Sequence, residues 1–428
     1  MCLCNDGLLD GDDGDPTTTG ASTGEPPAAQ CGNGIVEAGE QCDDGNRDYE
    51  DACDNECIAS CGPMWTVVVE GAVPAGLNPL AGDGVVDSQG RLVVTGTVDD
   101  AGDGGEIWIA RRGPEGRDLW SHVVEGPNGA DSGRAVAADA DGNTLVVGHY
   151  WGDTAPDIWA RKLDADGNTL WTMTHDDLGG MADMGTGAAF DADGNAIVVG
   201  TVTVTARDHD VWIRKLDPAG RELWTTTWSG LILGTSADEG GAVTTDADGN
   251  IYAFVREQTG DDEYQAVLLQ FDADGGEPQW TYAPVSALPR PPMQRAVDVA
   301  VGPDGSLTML TEMLDEEGTP SFHVGRVDAT ATPMWSYASD ELRLGVPVRA
   351  SGLGVDQDGG VGLVGAVFER PEQAFTLRLD PAGRPTCNRA LAGDGGPLAL
   401  TGGTVDSIGN MYAIGVAAGQ PWLGRFRR

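Results

Sequence analysis

Three aspartates recur at one offset along the chain and could supply oxygen ligands to a cation. Asp131, Asp183 and Asp238 each lie eight residues before a turn aspartate, in the contexts Asp-Ser-Gly, Asp-Met-Gly and Asp-Glu-Gly. Hard cations such as Ca²⁺ take clustered carboxylate oxygens. The spacing therefore predicts a site for Ca²⁺ or a cationic ligand, with the alternative that each aspartate caps its own turn. Beyond this Ca²⁺, no cofactor is expected.

A second candidate set is aromatic and could stack on a sugar or a peptide. His149, Tyr150 and Trp151 are consecutive, and Trp228 falls in a corresponding loop of a later repeat. The same group of loops carries His175, His209, Met181 and Met184. Aromatic rings present large contact surfaces with one polar end. The set therefore predicts a ligand-binding surface, with the alternative that these side chains cover the core.

The elements that position these residues belong to an internal repeat. One copy runs through residues 187–200, 210–217 and 222–227, and a tryptophan stands near the start of its last segment. The anchors at that position are Trp65, Trp120, Trp171, Trp224, Trp280, Trp335 and, in place of tryptophan, Cys387, which gives a period of about 54 residues. This is the size of one four-stranded blade, so the sequence predicts an all-β fold, a seven-bladed β-propeller of four-stranded antiparallel blades.

The order of strand types within a repeat predicts how the ring closes. The first strand is built of small residues, which suits the crowded centre, and Asp-Gly turns follow the first and third strands on one face. The other connections vary in length and emerge on the opposite face, where we expect function. The segment after Trp65 belongs to the outermost class, whereas the chain ends on a third-class strand. We therefore expect the N-terminal strand to complete the seventh blade.

Composition divides the chain into three parts and excludes some partners. Residues 1–30 form an acidic linker rich in Pro, Thr and Gly that we expect to be disordered, residues 31–61 are rich in cysteine, and residues 62–428 hold the propeller. A net charge of -43 argues against binding nucleic acid. The sequence has no stretch of 18 apolar residues, so we expect no transmembrane helix. We expect a monomer.

Five of the eight cysteines crowd into one short segment: Cys31, Cys42, Cys53, Cys57 and Cys61. About thirty residues cannot build a sufficient core, so disulfides are expected to stabilise this module. A zinc site at Cys53, Cys57 and Cys61 is the alternative, although the module has no histidine. The pairing within the module is open, and a bridge from Cys61 to Cys387 would use two cysteines that are otherwise left over.

Cysteine usage of this kind is typical of oxidising compartments. We therefore expect an exported or cell-surface protein whose signal sequence lies upstream of the given start. Cys2 or Cys4 is a candidate for the lipid-modified cysteine of a lipoprotein.

The cysteine-rich segment resembles a known family through Cys31-Gly-Asn-Gly34, Glu40-Gln-Cys-Asp-Asp-Gly-Asn46, Cys53 and Cys57. It is similar to the myxobacterial cysteine-rich repeat, which implies a surface-exposed, disulfide-bonded spacer. The segments 210–220 and 246–252 resemble the bacterial β-propeller repeat family, which implies an extracellular scaffold.

These features together favour a surface-displayed binding, adhesion or scaffold module for an extracellular protein, peptide or glycan. The alternative is a propeller enzyme with its site on the variable-loop face. Such an enzyme would be a quinoprotein-like oxidoreductase, a lyase or a hydrolase. No nucleophile elbow, histidine pair at helical spacing or phosphate loop is present in the sequence. Our main expectation is therefore that the protein is not an enzyme.

Overall fold

The computed structural model describes residues 32–36, 43, 45, 63–69, 80–98, 105–124, 126, 129–177, 180–232, 234–285, 293–342, 347–367, 373–392, 398–417 and 420–428. In this part of the chain a short 3-10 helix, Ser339–Leu342, accompanies the strands, and no helix is long and apolar enough to cross a membrane.

The strands form seven antiparallel sheets of four, each a blade of one propeller. The N-terminal strand is β1 (Pro63–Val68). Blades one to three follow in order: β2 (Leu80–Val86), β3 (Leu92–Val98), β4 (Glu106–Arg112), β5 (Asp118–Val124); β6 (Ser132–Ala138), β7 (Thr144–Trp151), β8 (Pro156–Leu163), β9 (Thr169–His175); β10 (Met184–Phe190), β11 (Ala196–Thr205), β12 (Asp208–Leu216), β13 (Glu222–Trp228).

Blades four to seven continue the pattern. They comprise β14 (Glu239–Thr245), β15 (Ile251–Gly260), β16 (Glu263–Phe271), β17 (Trp280–Tyr282); β18 (Met293–Val301), β19 (Leu307–Leu314), β20 (Pro320–Val327), β21 (Pro333–Ala338); β22 (Val348–Val355), β23 (Val361–Val367), β24 (Gln373–Leu379), β25 (Pro385–Ala392); and β26 (Leu398–Val405), β27 (Met411–Ala417), β28 (Gln420–Phe426). The seven-bladed, four-stranded architecture predicted from the repeat is confirmed.

The ring closes through β1, as expected. β1 pairs antiparallel with β28, so the seventh sheet has the order β1-β28-β27-β26 and joins both described ends of the propeller. By pairing with β28, β1 covers a sheet edge that would otherwise be open to aggregation.

The Asp-Gly turns are tight hairpins whose aspartates bond their own backbone. Asp139 accepts hydrogen bonds from the backbone N of Asn143 at 2.8 Å and from its side-chain amide at 2.7 Å. Gly142 has a φ of 82° and donates its N–H to the Asp139 carbonyl at 3.0 Å. Glycine tolerates this left-handed conformation, which explains why the turn sequence repeats.

The anchor tryptophans join neighbouring blades. The indole N–H of Trp120 donates to the carbonyl of Ala165 at 3.1 Å, and that of Trp224 donates to Ala273 at 3.1 Å, in each case in the turn before the outermost strand of the next blade. Trp65 makes the same bond to Pro114 at 2.8 Å, so β1 also supplies the tryptophan contact of the seventh blade. The period of the anchors therefore reflects one repeated contact between blades.

Basic residues of the third strands cross the same interfaces. Each of these residues pairs with an anchor in its own sheet and reaches the turns of the next blade. Arg111 donates to the carbonyl of Gly142 at 2.7 Å, and Lys215 donates to the carbonyl of Ala273 at 3.1 Å. Arg326 donates to the carbonyl of Gly359 at 2.8 Å. We call the anchors and these basic residues the interblade bolts.

The cysteine module falls largely outside the described residues. Cys31, Cys42, Cys53, Cys57 and Cys61 are among the undescribed positions, so the disulfide-rich module stays a prediction. Cys387 is buried on β25, where it pairs with Arg378 as an anchor tryptophan would, and it is disulfide-bonded. Its partner lies outside the described residues.

Candidate active site

The first strands of all seven blades surround a central channel with a cavity of about 640 Å³. Each of these strands carries a β-bulge, and the bulged residues, such as Arg134, Thr186 and Ser351, line the cavity. A bulge re-aims a side chain that regular pairing would direct elsewhere. The repeat thus brings one bulge per blade to a shared space, although the bulged residues of blades one and four are glycines. A volume of this size suits a small-molecule ligand.

Two carboxylates face this channel where the other blades have small residues. Asp83 of β2 and Asp298 of β18 each follow the bulge of their strand directly, and both line the cavity. The equivalent residues of the other blades are Ala135, Gly187, Ala242, Gly352 and Gly402. Blades one and five therefore depart from the repeat at the same place and with the same residue type.

Backbone donors hold both carboxylates in matching geometry. Asp83 accepts from the backbone N of Gly84 at 2.7 Å and from Val136 of the next blade at 3.1 Å. Asp298 accepts from Val299 at 2.8 Å and from Leu353 of the next blade at 2.9 Å. Each carboxylate oxygen thus takes one backbone bond and keeps further acceptor capacity toward the channel.

Burial raises the pKa of both groups. The pKa of Asp83 rises from 3.8 to about 6, chiefly because the carboxyl is removed from bulk water. The pKa of Asp298 rises from 3.8 to about 7 for the same reason, and the charge of Asp83 adds to that rise. The charge of Asp83 therefore makes ionisation of Asp298 less favourable, and both carboxyl groups titrate closer to neutral pH than an ordinary aspartate does.

Charged side chains gather at the variable-loop end of the channel. Arg134, Arg295 and Arg349 lie near the starts of β6, β18 and β22, whereas Arg256 and Glu312 lie near the ends of β15 and β19. Starts of first strands and ends of second strands meet at one end because the strands are antiparallel. All five line the cavity, as does Glu239.

Asp131, Asp183 and Asp238 occupy one structural role in three separate blades. Asp183 accepts from the backbone N of Thr203 at 2.8 Å and of Asp177 at 2.8 Å. Asp131 bonds Trp151 in the same way, and Asp238 bonds Gln258 and Gly230. Each carboxylate therefore ties the end of its second strand to the loop that enters its blade, and none lines the channel.

The three aspartates lie at the entrances of three different blades. Among the described residues, no group of three His, Cys, Asp or Glu side chains is placed to hold a metal ion. The reason is geometric, because a clamp at the entrance of each blade points into that blade rather than toward its neighbours.

The aromatic candidates lie over different blade interfaces. Tyr150 packs on the core between blades one and two, whereas Trp228 packs on the core between blades three and four. The indole of Trp151 covers Gly129. His149 is buried, its Nδ1 has no hydrogen-bond partner among the described residues, and burial together with Arg134 lowers its pKa to about 4. These side chains do not form one common surface.

Sequence reasoning missed the channel residues, although a signal was present. The first strands were correctly interpreted as small-residue strands, and Leu80-Ala-Gly-Asp-Gly84 and Arg295-Ala-Val-Asp298 break that pattern with a charged residue. An aspartate at a position that otherwise admits only Ala or Gly is costly to bury, and such cost is typical of functional sites.

Comparison with known proteins supports the fold. No protein-family model matches the sequence, and no curated protein is similar to it. Among solved structures, the chain is similar to a europium-containing methanol dehydrogenase, at 11% identity over 86% of this chain and 93% of that chain, with a TM-score of 0.50.

Two further structures are similar at lower scores. Quinohemoprotein alcohol dehydrogenase from Comamonas testosteroni has 12% identity over 86% of this chain and 76% of that chain, with a TM-score of 0.48. The β-propeller domain of the Trilobed protease from Pyrococcus furiosus has 11% identity over 81% of this chain and 95% of that chain, with a TM-score of 0.47. At such identities the similarity shows the fold alone.

The comparisons correct the main functional expectation. The expectation of a binding, adhesion or scaffold module is wrong as the main interpretation, because the similar structure with a TM-score of 0.50 is a dehydrogenase and agrees better with the alternative of a propeller enzyme. The dehydrogenase chemistry itself does not carry over at this level of identity.

The described residues also do not fit the groups that those names imply. A lanthanide or haem iron needs a cluster of oxygen, nitrogen or sulfur ligands, and the described residues offer no such group. Among the described residues, no aromatic side chain lines the cavity to stack on a flat quinone. We therefore derive no step through a redox cofactor.

Proposed function

We propose that the protein is a hydrolase whose active site is the central channel, entered from the variable-loop face. The observation that carries this proposal is the pair Asp83 and Asp298, two carboxyl groups with raised pKa that face one cavity. Two carboxyl groups with pKa values of about 6 and about 7 can supply a general acid and a general base together near neutral pH.

The chemistry assigns one role to each carboxyl group. Asp298 holds its proton to the higher pH and donates it to the leaving oxygen of the scissile C–O bond. Asp83, ionised, accepts a proton from water as the water oxygen forms the new bond to carbon. The C–O bond breaks, the leaving group departs as an alcohol, and the two carboxyl groups have exchanged protonation states.

A substrate panel with matched variants tests the proposal. Chromogenic glycosides and esters are assayed with the parent, Asp298→Asn, Asp83→Asn and the control Asp304→Asn, which changes a turn aspartate of the same blade. We expect hydrolysis by the parent with a pH optimum between about 6 and 7 and a loss of at least about 100-fold in both channel variants.

Two results would overturn this function. One is hydrolysis that persists in both channel variants at the level of Asp304→Asn. The other is a quinone-dependent oxidation of alcohols, measured with an artificial electron acceptor, that does not need either carboxyl group.

We also propose that the protein is exported and that residues 31–61 form a disulfide-bonded module of the myxobacterial type, with the ring built from bacterial β-propeller repeats. The disulfide bond of Cys387 supports export, because such bonds persist in oxidising compartments. Fractionation of the native cells, with detection of the protein outside the inner membrane, tests this; a protein found only in the cytoplasm with free thiols contradicts it.

A further inference from the structure

The channel holds a group of arginines that the proposed acid–base chemistry does not use. Arg134, Arg256, Arg295 and Arg349 line its variable-loop end, and we call them the arginine cluster. They come from blades two, four, five and six, so the fold brings them together from positions far apart in sequence.

Two of these arginines have close acidic partners. Arg256 forms a short ion pair with Glu239. Arg349 lies 2.5 Å from Glu312, and Glu312 is itself buried, with 5% of its side chain exposed. Both glutamates line the same end of the channel, so their negative charges offset part of the positive charge of the arginines.

The remaining two arginines are poorly compensated. Arg295 approaches Glu312 only at 3.9 Å and keeps 69% of its side chain exposed. The side chain of Arg134, at the bulge of β6, makes no ion pair or hydrogen bond with any described residue. Its pKa is lowered first by burial and next by the charge of Arg295, and the charge of Glu239 opposes this in part, so the two guanidinium groups that line the cavity repel each other. An arginine stays ionised under these conditions, so the repulsion persists in the free protein.

This arrangement differs from the use of basic residues elsewhere in the propeller. The interblade bolts Arg111 and Lys215 are buried and donate to backbone carbonyls of the next blade. The whole chain carries 68 acidic and 25 basic residues. A protein with so large an excess of acidic residues does not need arginines at a cavity wall for solubility. An anion bound between the guanidinium groups would relieve the repulsion between them.

The rest of the channel wall indicates what kind of anion fits. The hydroxyl-bearing residues Ser132, Thr186, Ser351 and Thr401 line it together with several glycines, and no aromatic side chain among the described residues does. A guanidinium group binds carboxylates in a bidentate geometry, and a wall of hydroxyls and peptide groups suits a ligand with many hydroxyls.

We propose that the arginine cluster binds the carboxylate of a hydroxyl-rich substrate, a sugar acid or the acidic end of a uronic-acid glycan, and places its glycosidic bond beside Asp83 and Asp298. This inference rests on the proposed hydrolase function and specifies its substrate class.

Ligand-induced shifts in melting temperature and calorimetric titration test the inference. The probes are glucuronate, a short uronic-acid oligomer, glucose, a matching neutral oligomer and inorganic phosphate. The proteins are the full chain, Arg134→Gln, Arg295→Gln and the control Arg117→Gln, which removes an exposed arginine on the opposite face (its side chain is 83% exposed).

We expect glucuronate to bind the parent and the control, and neutral sugars to bind at least about 10-fold more weakly. Loss of one charge-assisted contact should weaken glucuronate binding by about 10- to 100-fold in Arg134→Gln and Arg295→Gln. Tighter binding of the oligomer than of glucuronate would identify a glycan chain as the source of the sugar acid, and equal binding would identify the free acid.

Other results would overturn the inference. Glucuronate binding that is unchanged in Arg134→Gln and Arg295→Gln, or neutral sugars that bind as well as acidic ones, contradict the role of the cluster. Phosphate that competes with equal affinity shows a general anion site and contradicts the substrate class.

The outcomes also separate the two proposals. Asp298→Asn should keep glucuronate binding and lose turnover. Hydrolysis of neutral substrates that depends on Asp298, without binding of acids, refutes only the substrate class. Binding of glucuronate through Arg134, without turnover of any acidic substrate, refutes only the hydrolase function.

Discussion

Replacing Asp298 by asparagine should stabilise the ring in a pH-dependent way. The pKa of Asp298 is about 7 in the folded protein and 3.8 in the unfolded chain. The folded state therefore binds the proton more tightly, and the stability that this proton gives is lost as the pH rises from about 4 through about 7. An asparagine side chain does not titrate, so Asp298→Asn escapes this loss.

The size of this pH-dependent change in stability follows from the shift in the pKa of Asp298. Each pH unit between the two pKa values is worth about 1.4 kcal/mol, so the advantage of Asp298→Asn should grow by roughly 3 kcal/mol between pH 5 and pH 8. The amide can accept only one of the two backbone bonds of Asp298, and this costs about 1 to 2 kcal/mol at every pH. For a ring of this length the pH-dependent part corresponds to a shift in Tm of about 4 °C.

Thermal denaturation of the parent and the variant at several pH values between 5 and 8 measures this difference. Asp304→Asn is the matched control, because the hydroxyl of Ser306 lowers the pKa of Asp304 and its titration lies below this range. A difference in Tm between Asp298→Asn and the parent that does not change with pH would refute the raised pKa and, with it, the acid–base pair.

Three further predictions concern the ring. Deleting residues 62–70 should lower the Tm of the whole propeller, since β1 closes the seventh blade; a deletion variant that melts with the parent contradicts closure. Peptide mapping should find Cys387 bridged to a cysteine before residue 62, because all other cysteines lie there, and Cys61 is our expected partner; a free Cys387 thiol refutes this. Asp183→Ala should cost about 2 to 4 kcal/mol, because two backbone donors lose their acceptor; an unchanged free energy of unfolding would refute the clamp.

The fold could be predicted because its causes are local and repeated. Each turn needs an aspartate and a glycine for its own backbone, and each blade needs a tryptophan, or Cys387 in blade six, to reach its neighbour. Such requirements leave a period in the sequence. The strand order even located the closing strand, because Trp65 carries the pattern of an outermost strand.

The candidate site could not be predicted in the same way, because it depends on departures from the repeat. Asp83 and Asp298 are about 200 residues apart, and only the ring shows that they face one cavity. Conversely, Asp131, Asp183 and Asp238 repeat, and repetition indicated a structural clamp rather than a shared site. In a ring of copies, regular features maintain the scaffold, whereas exceptions are better candidates for chemistry.

The interblade bolts all lie on the face of the tight turns, whereas the arginine cluster opens on the other face. The contacts that hold the blades together and the residues of the proposed ligand site therefore lie in separate halves of the ring. Strand residues at the open end of the channel could be exchanged between related rings by design or recombination, and the ring would keep its contacts between blades while the lining of its cavity changed.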